Sequence, residues 1–429
     1  MRQRSRFVGL TIVAGVAAAV VSHAMAQLNQ RGFSGSTDDP AIAYATRPAT
    51  DAVSELAKRI EAGTVQPAFE PFPLGSGYLR AVLQALDVPV ESQILVFTKT
   101  GIQSRLTGPA NPRALYFNDS VVVGYIRGAP FLELAAHDPQ QGVIFHTAPQ
   151  APGSPLALTR RDGCLSCHQS LTSLDVPGML VRSNVTAPDG APLRQLGVFD
   201  VDHRTPFAQR WGGWYVTGAH GPMRHLGNGV VADVDKPEAA ITPATLNLAT
   251  LERRFDTAGY LSAHSDIVAL MVFEHQMHAI NLITRVGWET RVAHAGNRRD
   301  LTAGPLADAV NELADYLLFV DEAPLTSRVA GTTSFAASFS ARGPRDRSGR
   351  SLRQLDLRTR LMRYPCSYMI YSAAFDGLPA DARAAVYERM WRSLSGDPPT
   401  PRHRIPAADR RAIVEILRDT KTDLPHEFR

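Results

Sequence analysis

Cysteine is scarce in this chain: three in 429 residues. That is too few for an exported scaffold stapled by disulfides. Two of the three lie within one five-residue stretch, which leaves Cys366 alone. Lysine is scarcer still relative to arginine, with only Lys58, Lys99, Lys236 and Lys421; the bias supports no functional conclusion. There is no internal repeat of solenoid period. Beyond the first 26 residues, no stretch reads as apolar enough to cross a bilayer. Charge of one sign is also missing. The formal +4 arises from 45 basic and 41 acidic residues, and three of the basics, Arg2, Arg4 and Arg6, belong to an N-terminal segment expected to be removed. The remaining near-neutral balance excludes a nucleic-acid or membrane partner recruited by bulk charge.

That N-terminal segment has the order of a secretory signal: Arg2, Arg4 and Arg6, then an uncharged run from Phe7 to Val21, then Ala24-Met25-Ala26 as a small-x-small cleavage site. Fifteen helical residues span about 22 Å, short of the ~30 Å hydrocarbon core, so a cleaved signal is favoured over an anchor. The expectation is an exported, periplasmic protein with no transmembrane anchor after cleavage.

The rest divides by pattern. Residues 27–50 are rich in Gly, Ser, Thr, Asp and Pro and read as a flexible lead-in. Asp51–Ala62 and Gly77–Leu86 carry short helical patterns. Between Ser92 and Thr147, short β-branched or aromatic runs alternate with turn signals such as Asn118-Asp119 and Gly128-Ala129-Pro130, which predicts an antiparallel meander. Met179–Ser183, Gln195–Val201 and Trp211–Thr217 are further strand candidates. Helical patterns dominate from about Ile241: Ser265–Arg285, the strongest, with Ser265 as N-cap, then Ala303–Phe319, Ala380–Leu394 and Ile405–Thr420. Val329–Arg353 reads as a loop. The expected class is α+β, with a signal at 1–26, a β-rich region at 27–160, a central segment at 161–240 holding a Trp/His-rich strand, and a helical region at 241–429 packed on that segment.

The chemistry is concentrated in Cys164-Leu165-Ser166-Cys167-His168. Two thiols three positions apart on one helical turn reach both vinyl edges of a porphyrin. The next residue, His168, then points its imidazole at the iron as proximal ligand. The expected cofactor is one covalent haem c, held by Cys164, Cys167 and His168. Zinc would need a second ligand pair, which is missing. A thioredoxin-type dithiol would open a long helix, whereas Pro177-Gly178 follows within ten residues of Cys167. Covalent haem attachment takes place outside the cytoplasm, so the motif and the export signal support each other.

Over Gly163 to Leu171 the chain resembles c-type cytochromes. It is also similar to large, uncharacterised periplasmic single-haem proteins. The resemblance implies the covalent haem. The length on either side of the motif departs from a small cytochrome fold.

The second axial position decides what such a haem does: a Met or His favours electron transfer, and an open position favours ligand or peroxide chemistry. His275 is the leading candidate, in a polar stripe of Glu274, His275, His278 and Asn281 on an otherwise apolar helix. The competing reading makes that stripe a solvent face. His220 and His225 are the second and third candidates, in a cluster that also contains His203, Arg204, Arg210, Trp211, Gly212, Gly213, Trp214, Met223 and Arg224. There the arginines would meet propionates, or the tryptophans are simply core. Met179, Met223, Met362 and Met369 are the methionine options. Cys366 reads as a buried, inert thiol. The expected function is electron transfer with a redox partner protein. The alternatives are a peroxidase- or oxygenase-like haem oxidoreductase with an open distal site, and a haem-based sensor.

Overall fold

The computed structural model describes residues 32–72, 75–153, 155–298, 300–396 and 405–428; the expected signal at 1–26 lies outside them. Helix α1 (Ala52–Glu61) starts at Asp51, whose carboxylate accepts from the Val53 and Ser54 N–H groups at 3.0 Å each. Helix α2 (Leu79–Ala85) follows. Five strands then run as an antiparallel meander: β1 (Ile94–Val96), β2 (Arg113–Phe117), β3 (Val121–Tyr125), β4 (Phe131–Asp138) and β5 (Gly142–Pro149). Strand β6 (Thr159–Arg160) adds to the β5 edge. After the one-turn helix α3 (Leu165–His168) comes the hairpin-like pair β7 (Arg182–Asn184) and β8 (Val198–Asp200). Strand β9 (Trp214–Tyr215) then returns to pair with β1, giving the order β6-β5-β4-β3-β2-β1-β9.

The C-terminal half is helical: α4 (Ile267–Ala295), α5 (Gly304–Leu317), α6 (Phe335–Ala341), α7 (Ala373–Asp376), α8 (Ala380–Ser395) and α9 (Ala407–Thr420). The architecture is α+β, as the pattern of runs implies. The large sheet is buried on both faces. Leu115, Phe117, Val122, Ala135, Val143 and Phe145 face the core built on α4. Ala114, Tyr116, Val121, Val123, Leu132 and Leu134 face α1 and α2, where Val53, Leu56, Leu79 and Val82 meet them. This double coverage explains why the strands read as nearly continuous apolar runs rather than strict alternations.

Four expectations are corrected. The lead-in is packed: Phe33, Ile42 and Tyr44 are buried against Trp288, with Phe33 edge-on to its indole at 5.2 Å and the Tyr44 hydroxyl donating to the Val143 carbonyl at 2.9 Å. Two aromatic anchors outweigh a polar composition. Helix α4 is capped one residue later than expected. Asp266 accepts from the Val268 and Ala269 N–H groups, while Ser265 Oγ donates to the Tyr215 carbonyl at 2.6 Å and accepts from Leu95 N–H at 2.9 Å. Ser265 therefore ties the helix start to β1 and β9. Finally, α4 is by length and composition long and apolar enough to cross a membrane, contrary to the sequence reading. Here it is a core helix, with 94% of its apolar window buried inside the protein. The Val329–Arg353 segment also contains α6.

Candidate haem-attachment site

The sheet edge delivers the motif. Arg161 N–H donates to the Phe145 carbonyl at 2.8 Å, continuing the β5–β6 pairing. A 3-10 turn (Asp162–Cys164) then leads into α3. The Ser166 hydroxyl donates to the Gly163 carbonyl at 2.9 Å, closing the turn that carries both thiols. Cys164 is half-buried, Cys167 exposed, and both are free thiols. Burial pushes the Cys164 thiol up, reinforced by Glu133 and opposed by Arg161.

His168 is held by its backbone and by one ring nitrogen. Its carbonyl accepts from Gly178 N–H at 2.9 Å, and its Nδ1 lies 3.0 Å from the Gly178 carbonyl. A carbonyl only accepts, so Nδ1 carries the proton and Nε2 keeps its lone pair. Asn281 of α4 fixes the next residue: its Oδ1 accepts from Met179 N–H at 3.0 Å and its Nδ2 donates to the Met179 carbonyl at 2.8 Å. The approach is so close that a Cβ on Gly178 would collide with Asn281 Oδ1. Phe145 packs on the imidazole at 4.6 Å. Burial lowers the His168 pKa, with the Gly178 bond working against it.

Charged groups surround the turn. Arg113 pairs with Glu133 at 3.0 Å and Arg182 with Asp200 at 2.9 Å. Arg161 uses only Nε, which donates to Thr147 Oγ1 at 3.0 Å; among the described residues its outer nitrogens meet no carboxylate. Leu171, three residues past His168, is 75% exposed. These residues fit a c-type haem: two accessible thiols on one turn, one imidazole nitrogen unclaimed, and a guanidinium free for a propionate.

The other sequence candidates are held elsewhere. His275 is fully buried. Its Nδ1 is 2.7 Å from His203 Nδ1 and its Nε2 is 2.7 Å from Ser367 Oγ, so the protein already uses both nitrogens. Tyr316 and Phe319 stack on its ring. The solvent-face reading of the stripe is overturned as well: Glu274, His275 and Asn281 are all buried. Glu274 accepts from Arg210 Nη1 and from Trp211 Nε1. Burial raises the Glu274 carboxyl's pKa, and Arg210 and Trp211 work against that rise. His278 accepts at Nε2 from Arg204 Nη2 at 3.1 Å, and Arg204 in turn grips Asp202. Burial opposes the Asp202 charge, yet Arg204 and His278 hold its carboxyl well below the usual range.

His220 and His225 pack on each other at 4.8 Å and against Phe207, with Trp211 edge-on to His225. Asn247 N–H donates to His220 Nε2 at 3.2 Å and Gly227 N–H to His225 Nδ1 at 3.0 Å. His225 Nε2 therefore carries the proton, the wrong tautomer for metal ligation. Trp211 and Trp214 are core. Gly212 allows close approach to β7, with the Asn184 carbonyl 2.7 Å from where its Cβ would stand. Arg204 and Arg210 are committed to carboxylates, and Arg224 donates to the Ile241 carbonyl at 2.7 Å. Met223, Met362 and Met369 are buried, and burial pushes the Cys366 thiol up to about 12.

Sequence reasoning missed Gly178, Phe145 and Arg161 as parts of the site. Only the Pro177-Gly178 break carried a signal. The chain matches no family model, no curated protein and no solved structure.

Proposed function

We propose that this is an exported single-haem c-type cytochrome that binds haem through Cys164, Cys167 and His168 and transfers electrons to a partner protein. The observation that carries the reading is the division of labour in His168: Nδ1–H is anchored on Gly178 while Nε2 has no partner among the described residues. A proximal ligand needs that arrangement, since the second-nitrogen bond fixes tautomer and ring orientation. When bound, the haem supplies a one-electron redox centre. The chain's own residues do the rest: Cys164 and Cys167 tether, His168 orients, and Arg161 offers charge to a propionate. The exposure of Cys167 and Leu171 leaves the attachment turn open to a docking partner.

The test is the pyridine haemochrome spectrum of chain exported with haem-maturation machinery. One covalent haem per chain is expected, surviving acid–acetone extraction and lost in Cys164→Ser/Cys167→Ser. A folded, exported chain without covalent haem would overturn the proposal.

One observation favours a second reading, a haem-dependent oxidoreductase. Of the three candidate second histidines, His275 has both ring nitrogens bonded, and His220 and His225 each have one nitrogen held, by Asn247 and Gly227. An open sixth position gives a high-spin ferric spectrum and peroxide-dependent turnover; a low-spin spectrum decides for the electron carrier.

A further inference from the structure

A cavity of about 310 Å³ lies between α4 and the segment that follows the attachment turn. This is the small end of ligand pockets, ~300–1,000 Å³. Leu171 and Thr172 form part of its wall, Met179 and Leu180 another, and Met277 and His278 of α4 line it too, with Asp202 and Arg204 supplying its charges. We propose that this cavity binds a small neutral molecule that carries a carbonyl oxygen on an apolar ring.

The donors define the polar end. Arg204 Nη2 donates to His278 Nε2, so the neutral His278 ring bears its proton on Nδ1. Among the described residues that Nδ1–H has no acceptor, and the side chain is 12% exposed. Arg204 spends Nε and Nη2 on Asp202 and His278, which leaves Nη1 without a hydrogen-bond partner among the described residues, in a side chain 17% exposed. The cavity thus offers two N–H groups, while its carboxylates, Asp202 and Asp200, are already engaged by Arg204 and Arg182. Unmet donors in a half-enclosed wall favour a ligand oxygen.

Charge excludes an anion. Arg204 is neutralised by Asp202, and Arg182 by Asp200 at the same rim. Burial pushes His278 down to about 4, so its ring adds no positive charge at neutral pH. A carboxylate or phosphate would enter a site with no net positive charge and would face Asp202. The apolar end is set by Met179, Leu180, Val181, Val201 and Met277. Thioethers pack well on ring edges, so a flat ring suits this lining.

None of these residues is Cys164, Cys167 or His168. Failure of the haemochrome test would leave this site standing, and failure of ligand binding would leave the haem reading standing. The test is calorimetric titration of the protein as purified with acetophenone, with ethylbenzene as the acceptor-free control and benzoate as the anionic one. Acetophenone is expected to bind one site, at least ten-fold tighter than either control. Leu180→Trp, which fills the cavity, should abolish binding, and His278→Leu should reduce acetophenone to the level of ethylbenzene. Acetophenone binding no tighter than ethylbenzene, or binding unchanged in both variants, would overturn the proposal.

Discussion

His168 and His275 are the same residue in opposite employment. His168 sits on a one-turn helix at the surface, with one nitrogen tied to a carbonyl and the other unclaimed. His275 sits in the middle of a 29-residue core helix with both nitrogens bonded and two aromatic rings stacked on it. An imidazole's role is read from its second nitrogen. A histidine with both sides satisfied is a structural bridge, however suggestive its place in the sequence. The polar stripe of α4 is such a bridge. Glu274, His275, His278 and Asn281 join the helix to Arg210, Ser367, Arg204 and the Met179 backbone in turn.

Arg210 anchors the core side of this contrast. Its guanidinium is buried and pairs with Glu274, while it also donates to the Thr205 and His203 carbonyls at 2.8 and 2.9 Å. Arg210→Leu leaves a buried carboxylate unpaired and is expected to cost about 3–5 kcal/mol in urea unfolding. The chain that still folds should keep its full haem content, because the network supports the core and not the attachment turn.

His275→Gln tests the bridging role itself. A bridging role predicts a loss of about 1–3 kcal/mol and an unchanged resting absorption spectrum. A changed spin state would make His275 a ligand after all. The same variant tests acid sensitivity. Burial holds the folded His275 ring down to about 3, whereas the unfolded ring takes its proton near 6.5. The unfolded chain therefore binds more protons in between. This contribution is complete above pH 6.5 and is lost on acidification towards 3, at about 1.4 kcal/mol per pH unit. In His275→Gln the difference between the urea-unfolding free energies at pH 7 and pH 5 should shrink by about that amount for each unit below pH 6.5.

The smallest effect belongs to Asn281→Ala. It removes two hydrogen bonds to Met179 and should cost about 1–2 kcal/mol. The attachment turn loses its brace, so the spectrum or potential of the bound haem should move while haem content stays whole. An unaltered spectrum and potential would mean that α4 and the turn are independent.

Much of this was legible in the sequence. The meander from Ile94 to Pro149 follows from β-branched runs cut by turn residues, and α4 from its length and apolarity. The turn proposed for attachment was legible because its residues are neighbours in the chain, a spacing that sequence records directly. The engagement of the other histidines was not, because a ring's second nitrogen finds its partner through tertiary contacts. Ser367 is 92 residues from His275, and Thr217 Oγ1 meets Thr332 Oγ1 across 115. The lead-in misled for a related reason: Phe33 and Tyr44 are only two residues in a polar stretch, but Trp288 gives them a place to bury.

Strand β9 gives the chain an order of events. Leu95 waits for Tyr215 and Val96 for Trp214, so the β1 edge of the large sheet stays unsatisfied until everything through the cysteine turn has been delivered. Pairings this distant form slowly, because the loop between them must first be closed. During that delay the turn sits on a chain whose scaffold is still open. On the proposed reading, an enzyme that fastens a prosthetic group to Cys164 and Cys167 would therefore work on an exported chain that is still partly folded, and closure of β9 would mark the end of its opportunity.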